Sequence, residues 1–93
     1  MGRQRRPQPK YLAKKLKTIR EGLGIGQAEM ARRLGKVPGN PDGAMISRFE
    51  RGEREPNLFV IVAYAKVAGV NAHIIIDDDW SVRDLVEEMP KKR

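Results

Sequence analysis

The chain has 93 residues, enough for one compact domain that buries roughly 60–65% of the surface its unfolded form exposes. It holds 19 basic and 12 acidic residues, a formal net charge of +7, and no cysteine, which excludes a disulfide framework and a thiolate metal site. No apolar run approaches the ~18–20 residues needed to span a bilayer. The basic N-terminus runs into Pro7, Gln8, Pro9 and Lys10 where a signal peptide needs an apolar stretch, so a cytoplasmic protein is expected.

The charge is unevenly placed. Residues 1–20 contain Arg3, Arg5, Arg6, Lys10, Lys14, Lys15, Lys17 and Arg20 and no acid, a balance of +8, while the remaining residues sum to −1. Such asymmetry points to a polyanionic partner, because each neutralised phosphate releases counterions. A solubilising tail is the plainer alternative. Residues 1–9, broken by Pro7 and Pro9, read as a flexible arm whose Arg3, Arg5 and Arg6, with Lys10 at its base, would follow a phosphate backbone.

From Lys10 a helical period begins, with Leu12, Leu16, Ile19 and Leu23 on one face and Lys14, Lys15, Lys17 and Arg20 in the gaps. Gly22, Gly24 and Gly26 stop it. A second helix follows over about residues 27–34, with Ala28, Ala31 and Leu34 facing inward and Gly35 at its end. Residues 36–43 are turn formers. A third helix spans about residues 44–51, and only Ile46 and Phe49 are spaced as core residues. Asn57 is a good N-cap for a fourth helix over about residues 58–68, with Leu58, Ile61, Ala65 and Ala68 on one stripe. Phe59, Val60, Val62 and Val67 make that helix apolar on more than one side. The β-branched run Ala72–Ile76 reads as a short strand ending at Asp77, Asp78 and Asp79. The tail is expected to form one weak helical turn around residues 82–89.

Two helices joined by a turn, the second with few core residues and many outward polar ones, match a helix-turn-helix pattern. The free face of such a second helix can enter a major groove about 12 Å wide.

Residues 10–70 resemble the phage repressor and Cro family, the xenobiotic-response-element family of regulators. The matching residues are Ile19-Arg20, Gly24-Ile25-Gly26-Gln27, Met30-Ala31-Arg32-Arg33-Leu34-Gly35 and Ile46-Ser47-Arg48-Phe49-Glu50-Arg51-Gly52. Glu53-Arg54-Glu55-Pro56 and Ala63-Tyr64-Ala65-Lys66-Val67-Ala68-Gly69-Val70 continue the likeness. The most specific piece is the Ile-Ser-Arg-aromatic-Glu-Arg-Gly run with a proline four residues later.

The resemblance implies an all-α domain of four to five helices, to which the residues themselves add a short C-terminal strand. It implies base-facing positions at Gly43, Ala44, Met45, Ser47 and Arg48, of which Arg48 alone has strong readout chemistry, toward guanine O6 and N7. Arg51 and Arg54 fall where family members touch phosphate. Gln27, opening the second helix, could hold another with its amide and the free backbone N–H groups. Arg20 and Glu50 occupy the places of a partly buried ion pair. Ala31 would be small because the two helices cross closely there.

Two departures stand out: the turn at residues 35–42 is eight residues with two prolines, against about three in the family, and Gly26 replaces the usual Ser or Thr cap. The family's fifth helix would start near Val70, where this chain has its strand-like segment.

His73 has no nearby His or Cys and reads as a strand residue, and Asp77–Asp79 lack the spacing of a calcium loop. No cofactor, metal or catalytic role is expected. The division expected is an arm over residues 1–9, a DNA-binding domain over 10–71 and a C-terminal strand and tail over 72–93. A homodimer is expected to form through residues 58–77, since one recognition helix reads only a few base pairs. The alternative reading is a protein-interaction module (an adaptor or antitoxin) using the fourth helix and Ile74–Ile76. Repressor, activator and autoregulating antitoxin remain open.

Overall fold

The computed structural model describes residues 8–91, so Arg3, Arg5 and Arg6 lie outside the described residues. Helix α1 runs Leu12–Leu23 and buries Leu12, Leu16 and Ile19, as their spacing requires. It ends at Gly24, whose φ of 72° is a left-handed conformation that lets its N–H bond back to the Arg20 and Glu21 carbonyls. Helix α2, Gln27–Leu34, buries Met30 and Leu34. An irregular connector over residues 35–42 leads to α3, Gly43–Glu50, started by the Asp42 carboxylate accepting from the Met45 N–H at 2.9 Å. Helix α4 covers Leu58–Ala68 and is capped by Asn57, which accepts from the Val60 N–H at 2.9 Å and donates to the Pro38 carbonyl at 3.0 Å.

Two further helices complete the chain: α5, Ala72–Ile76, and α6, Val82–Glu88. Helices α2 and α3 pack against each other, α1 touches α3, α4, α5 and α6, and α4 rests on α2 and α5. One core holds Leu16, Ile19, Met30, Ile46, Tyr64, Ile75 and Leu85 together. The fold is all-α with six helices and no strand among the described residues, and none of these helices is long and apolar enough to cross a membrane.

The segment expected as a strand is therefore helical. Asn71 accepts from the His73 N–H at 3.2 Å, the Asp77 N–H closes a turn on the His73 carbonyl, and Ile74 and Ile75 enter the core. β-Branched residues prefer a pleated surface, but that preference gives way where burial is available and no second strand offers a ladder. His73 is thus a helix residue, edge-on to Trp80 at 5.6 Å. The tail is more than a weak turn. Ser81 and Asp84 form a reciprocal capping box and Leu85 is fully buried, so residues 72–88 belong to the same core as the rest and the division at residue 71 has no counterpart in the packing.

Helix α4 is rotated from its expected setting. Its buried residues are Val60, Ile61, Ala63, Tyr64, Ala65 and Ala68, an arc centred on Tyr64. At about 100° per residue, Leu58, Phe59, Val62 and Lys66 fall together on the opposite side. Leu58, placed on the inner stripe by its spacing, is 72% exposed. Val60, counted as surplus, is core. With Ile74 and Ile75 buried, the dimer surface expected over residues 58–77 is reduced to the outer face of α4 and the half-exposed Ile76.

Lys15 also departs from the expected basic face. It is buried between Leu12 and Ile19, and its Nζ donates to the Ile74 carbonyl at 2.8 Å and the Asp77 carbonyl at 3.1 Å. The ammonium thereby closes the C-terminal end of α5, where free carbonyls and the helix dipole favour a cation. Burial lowers its pKa below the ordinary 10.5, opposed by the nearby carboxylates of Asp78, Asp77 and Asp84.

The unfolded chain therefore binds more protons than the folded one between the lowered value and 10.5, and stability rises with pH across that window. Chemical denaturation of the wild type and Lys15→Met from neutral pH upward should show the wild type gaining on the variant as pH climbs toward 10.5. A constant difference over that range would place the ammonium in water.

Candidate nucleic-acid interface

Helix α3 is eight residues long and commits only Ile46 and Phe49 fully to the core. Helical geometry then puts Ala44, Ser47, Arg48 and Arg51 on its outer side. Ala44, Arg48 and Arg51 are exposed and Ser47 is half-buried. The five positions that the resemblance marked as base-facing thus divide. Ala44, Ser47 and Arg48 lie on the outer face. Gly43 is turned toward α2, where a Cβ would lie 3.4 Å from the Ala28 backbone, a snug contact with little room for a larger side chain. Met45 is half-buried against the core and lines a small cleft with Pro41, Phe49 and Val60. The tight crossing of α2 and α3 therefore lies at Ala28 and Gly43. Ala28, expected to face inward, is itself solvent-exposed.

The orientation of α3 is held at its far end. Arg20 of α1 grips Glu50 with two parallel bonds, Nε to Oε2 at 2.7 Å and Nη2 to Oε1 at 3.0 Å, and its Nη1 donates to the Ile25 carbonyl at 3.0 Å. The side chains are 15% and 4% exposed, which makes this a partly buried pair. The Glu50 hydrogen bonds hold the guanidinium above its usual pKa. Gln27 Nε2 also donates to Glu50 Oε1, at 3.2 Å. That contact joins the Gln27 amide nitrogen to the Arg20–Glu50 pair. The N-terminal N–H groups of α2 carry no side-chain cap at Gly26. The Tyr64 hydroxyl lies buried near this pair with no hydrogen bond among the described residues, and burial pushes its pKa up.

The cations around α3 are arranged along its C-terminal side. Arg51 forks onto Glu53, with Nε to Oε2 at 2.9 Å and Nη2 to Oε1 at 3.0 Å, and its Nη1 donates to Ser47 Oγ. Those bonds pull the Glu53 carboxyl below its ordinary pKa, so a phosphate at Arg51 would compete with a carboxylate already in place. Arg54 is exposed and shares a shallow depression with Pro9, Lys10, Ala13 and Gly52. The root of the N-terminal arm therefore leaves the domain beside the end of α3. Asp78 fixes the entry into α1, its Oδ2 accepting from the Lys10 N–H at 2.7 Å and its Oδ1 from the Tyr11 N–H at 3.2 Å. These backbone bonds, Lys10 first, lower the Asp78 pKa. Of the three aspartates expected as a solvated strand end, all are exposed and Asp78 alone ties Lys10 and Tyr11 to this corner.

Three contacts were not anticipated by reading the sequence. Asp42 as the α3 cap was visible as an Asp before the first helical residue. Lys15 sits three residues after Leu12 and four before Ile19, at the edge of the apolar arc, a placement compatible with burial. The Asp78 tether spans 68 residues of sequence and left no local signal. Among the described residues no group of three or more His, Cys, Asp or Glu side chains is placed to hold a metal.

No protein-family model, no curated protein and no solved structure matches this chain.

A double-mutant cycle on Arg20→Met and Glu50→Gln, read by urea denaturation, should give a favourable coupling of about 1–3 kcal/mol, because either single change leaves a desolvated partner behind. Strict additivity would show the two side chains to be independent.

Proposed function

We propose that the chain binds double-stranded DNA in a sequence-dependent way, as a small transcription regulator with α3 as its recognition helix. The observation that carries the reading is the outer face of α3. Small and polar side chains at Ala44, Ser47 and Arg48 occupy a rigidly anchored helix that gives its opposite side to the core. A helix about 10–12 Å across fits a major groove of about 12 Å. Arg48 supplies the planar fork suited to a guanine edge, and Ala44 the small apolar surface suited to a thymine methyl. Lys10, Arg51 and Arg54 flank the helix end where phosphates would lie, and Arg3, Arg5 and Arg6 would add phosphate contacts through their charge. The likeness of residues 10–70 to the phage repressor and Cro regulators agrees with this reading, and cytoplasmic action follows from it.

A second reading, a protein-interaction module, is favoured by Leu58, Phe59 and Val62 exposed side by side on α4. The two surfaces lie on different helices.

Replacing Arg48 with Ala should cost ~1–3 kcal/mol on the best site, selected from a random duplex pool, and relax preference at one base pair. Equal losses on the selected site and on random duplex, by fluorescence anisotropy, would reassign Arg48 to a phosphate contact.

A further inference from the structure

The outer face of α4 continues into a cleft that DNA binding through α3 leaves unused. Its floor is apolar, made by Pro38 of the connector and by Phe59 and Val62 of α4, which are 62% and 45% exposed. Arg33, Lys36 and Lys66 stand around it. Its lining includes no acidic residue. Arg33 donates to Glu29 at 3.1 Å, a carboxylate it shares with Arg32. The lining thus carries three cations and no carboxylate, and both lysines are exposed. The first turn of α4 adds to the field, since it has no acidic residue to offset the positive end of the helix dipole.

We propose that this cleft docks an acidic amphipathic helix of a partner protein. An apolar floor of two to three anchors with charged edges is the pattern of helix-in-groove recognition, in which apolar residues at helical spacing fill the floor and flanking charges set the partner. The charge selects among occupants. A second copy placed by a two-fold axis over the cleft would set one all-cationic rim against another, and like charges across an interface are unfavourable. A helix with glutamates on both sides of its apolar stripe meets the same cations as partners. The cleft shares no residue with the outer face of α3, so the inference does not rest on DNA binding.

Two synthetic amphipathic peptides with one shared apolar stripe, flanked by Glu in the first and by Lys in the second, test it by titration into the isotope-labelled full chain. The Glu peptide should move amide resonances of residues 33–38 and 58–67, with affinity that falls as salt is added. The Lys peptide should bind about tenfold more weakly or not at all. The double substitution Lys36→Glu and Lys66→Glu, at exposed positions that leave the core intact, should reverse that preference. Equal binding of both peptides, or shifts centred elsewhere, would overturn the proposal. So would a doubled mass in sedimentation that Phe59→Ser abolishes, which would give the cleft to a second copy. Shifts at these amides on adding duplex would give it to DNA.

Discussion

Glu50 is a carboxylate with 4% of its side chain exposed, in a helix of only eight residues, and its charge is tolerable there because Arg20 meets it with a two-pronged bond. Much of the candidate interface depends on that contact. A helix as short as α3 is marginal by itself and takes its stability from what it packs on. Ile46 and Phe49 fasten its inner side, and Glu50 fastens its end to α1 and, through Gln27, to the start of α2. Three helices are thus keyed to one carboxylate. With its orientation fixed from behind, α3 needs no further anchor on its outer side, and Ala44, Ser47 and Arg48 are left to meet a partner. Removing one member of such a pair costs more than the pair contributes, since it leaves a desolvated charge.

A second set of polar contacts closes the opposite side. Lys15 reaches the last carbonyls of α5, and Asp78 just beyond takes the amides of Lys10 and Tyr11. Both link the start of α1 to the α5–α6 corner, and both use charge against backbone dipoles. The consequence for the basic N-terminal segment is a division of labour. Lys15 is consumed inside and Arg20 at the helix junction, while Lys14 and Lys17 stay exposed and Lys10 marks where the arm leaves. A positive count along a sequence therefore overstates the charge that can face a polyanion.

Much of the fold was legible. The apolar spacing of Leu12, Leu16 and Ile19, the glycine at 24 and the cap at Asn57 placed α1, α2 and α4 within a residue or two, because helical period and capping act locally. Arg20 and Glu50 were paired through the family likeness, and the structure brings them together. What could not be read was set by tertiary burial. Ile74, Ile75 and Ile76 carry strand propensity, yet two of them complete a core made by distant helices. The setting of α4 depends on which arc of a nearly all-apolar helix the core demands, so Leu58 and Val60 exchanged places. Met45 was assigned outward by position and is drawn inward by a neighbour, the Phe49–Val60 cleft.

The central claim is that the outer face of α3 is the surface that meets DNA. Amide chemical-shift mapping of the full chain with a short duplex taken from a random-pool selection tests it most directly. The account predicts shifts concentrated in residues 43–54 and at Lys10, fading together as salt rises. Shifts confined to α4 and the connector, or none at low salt with any duplex, would contradict it.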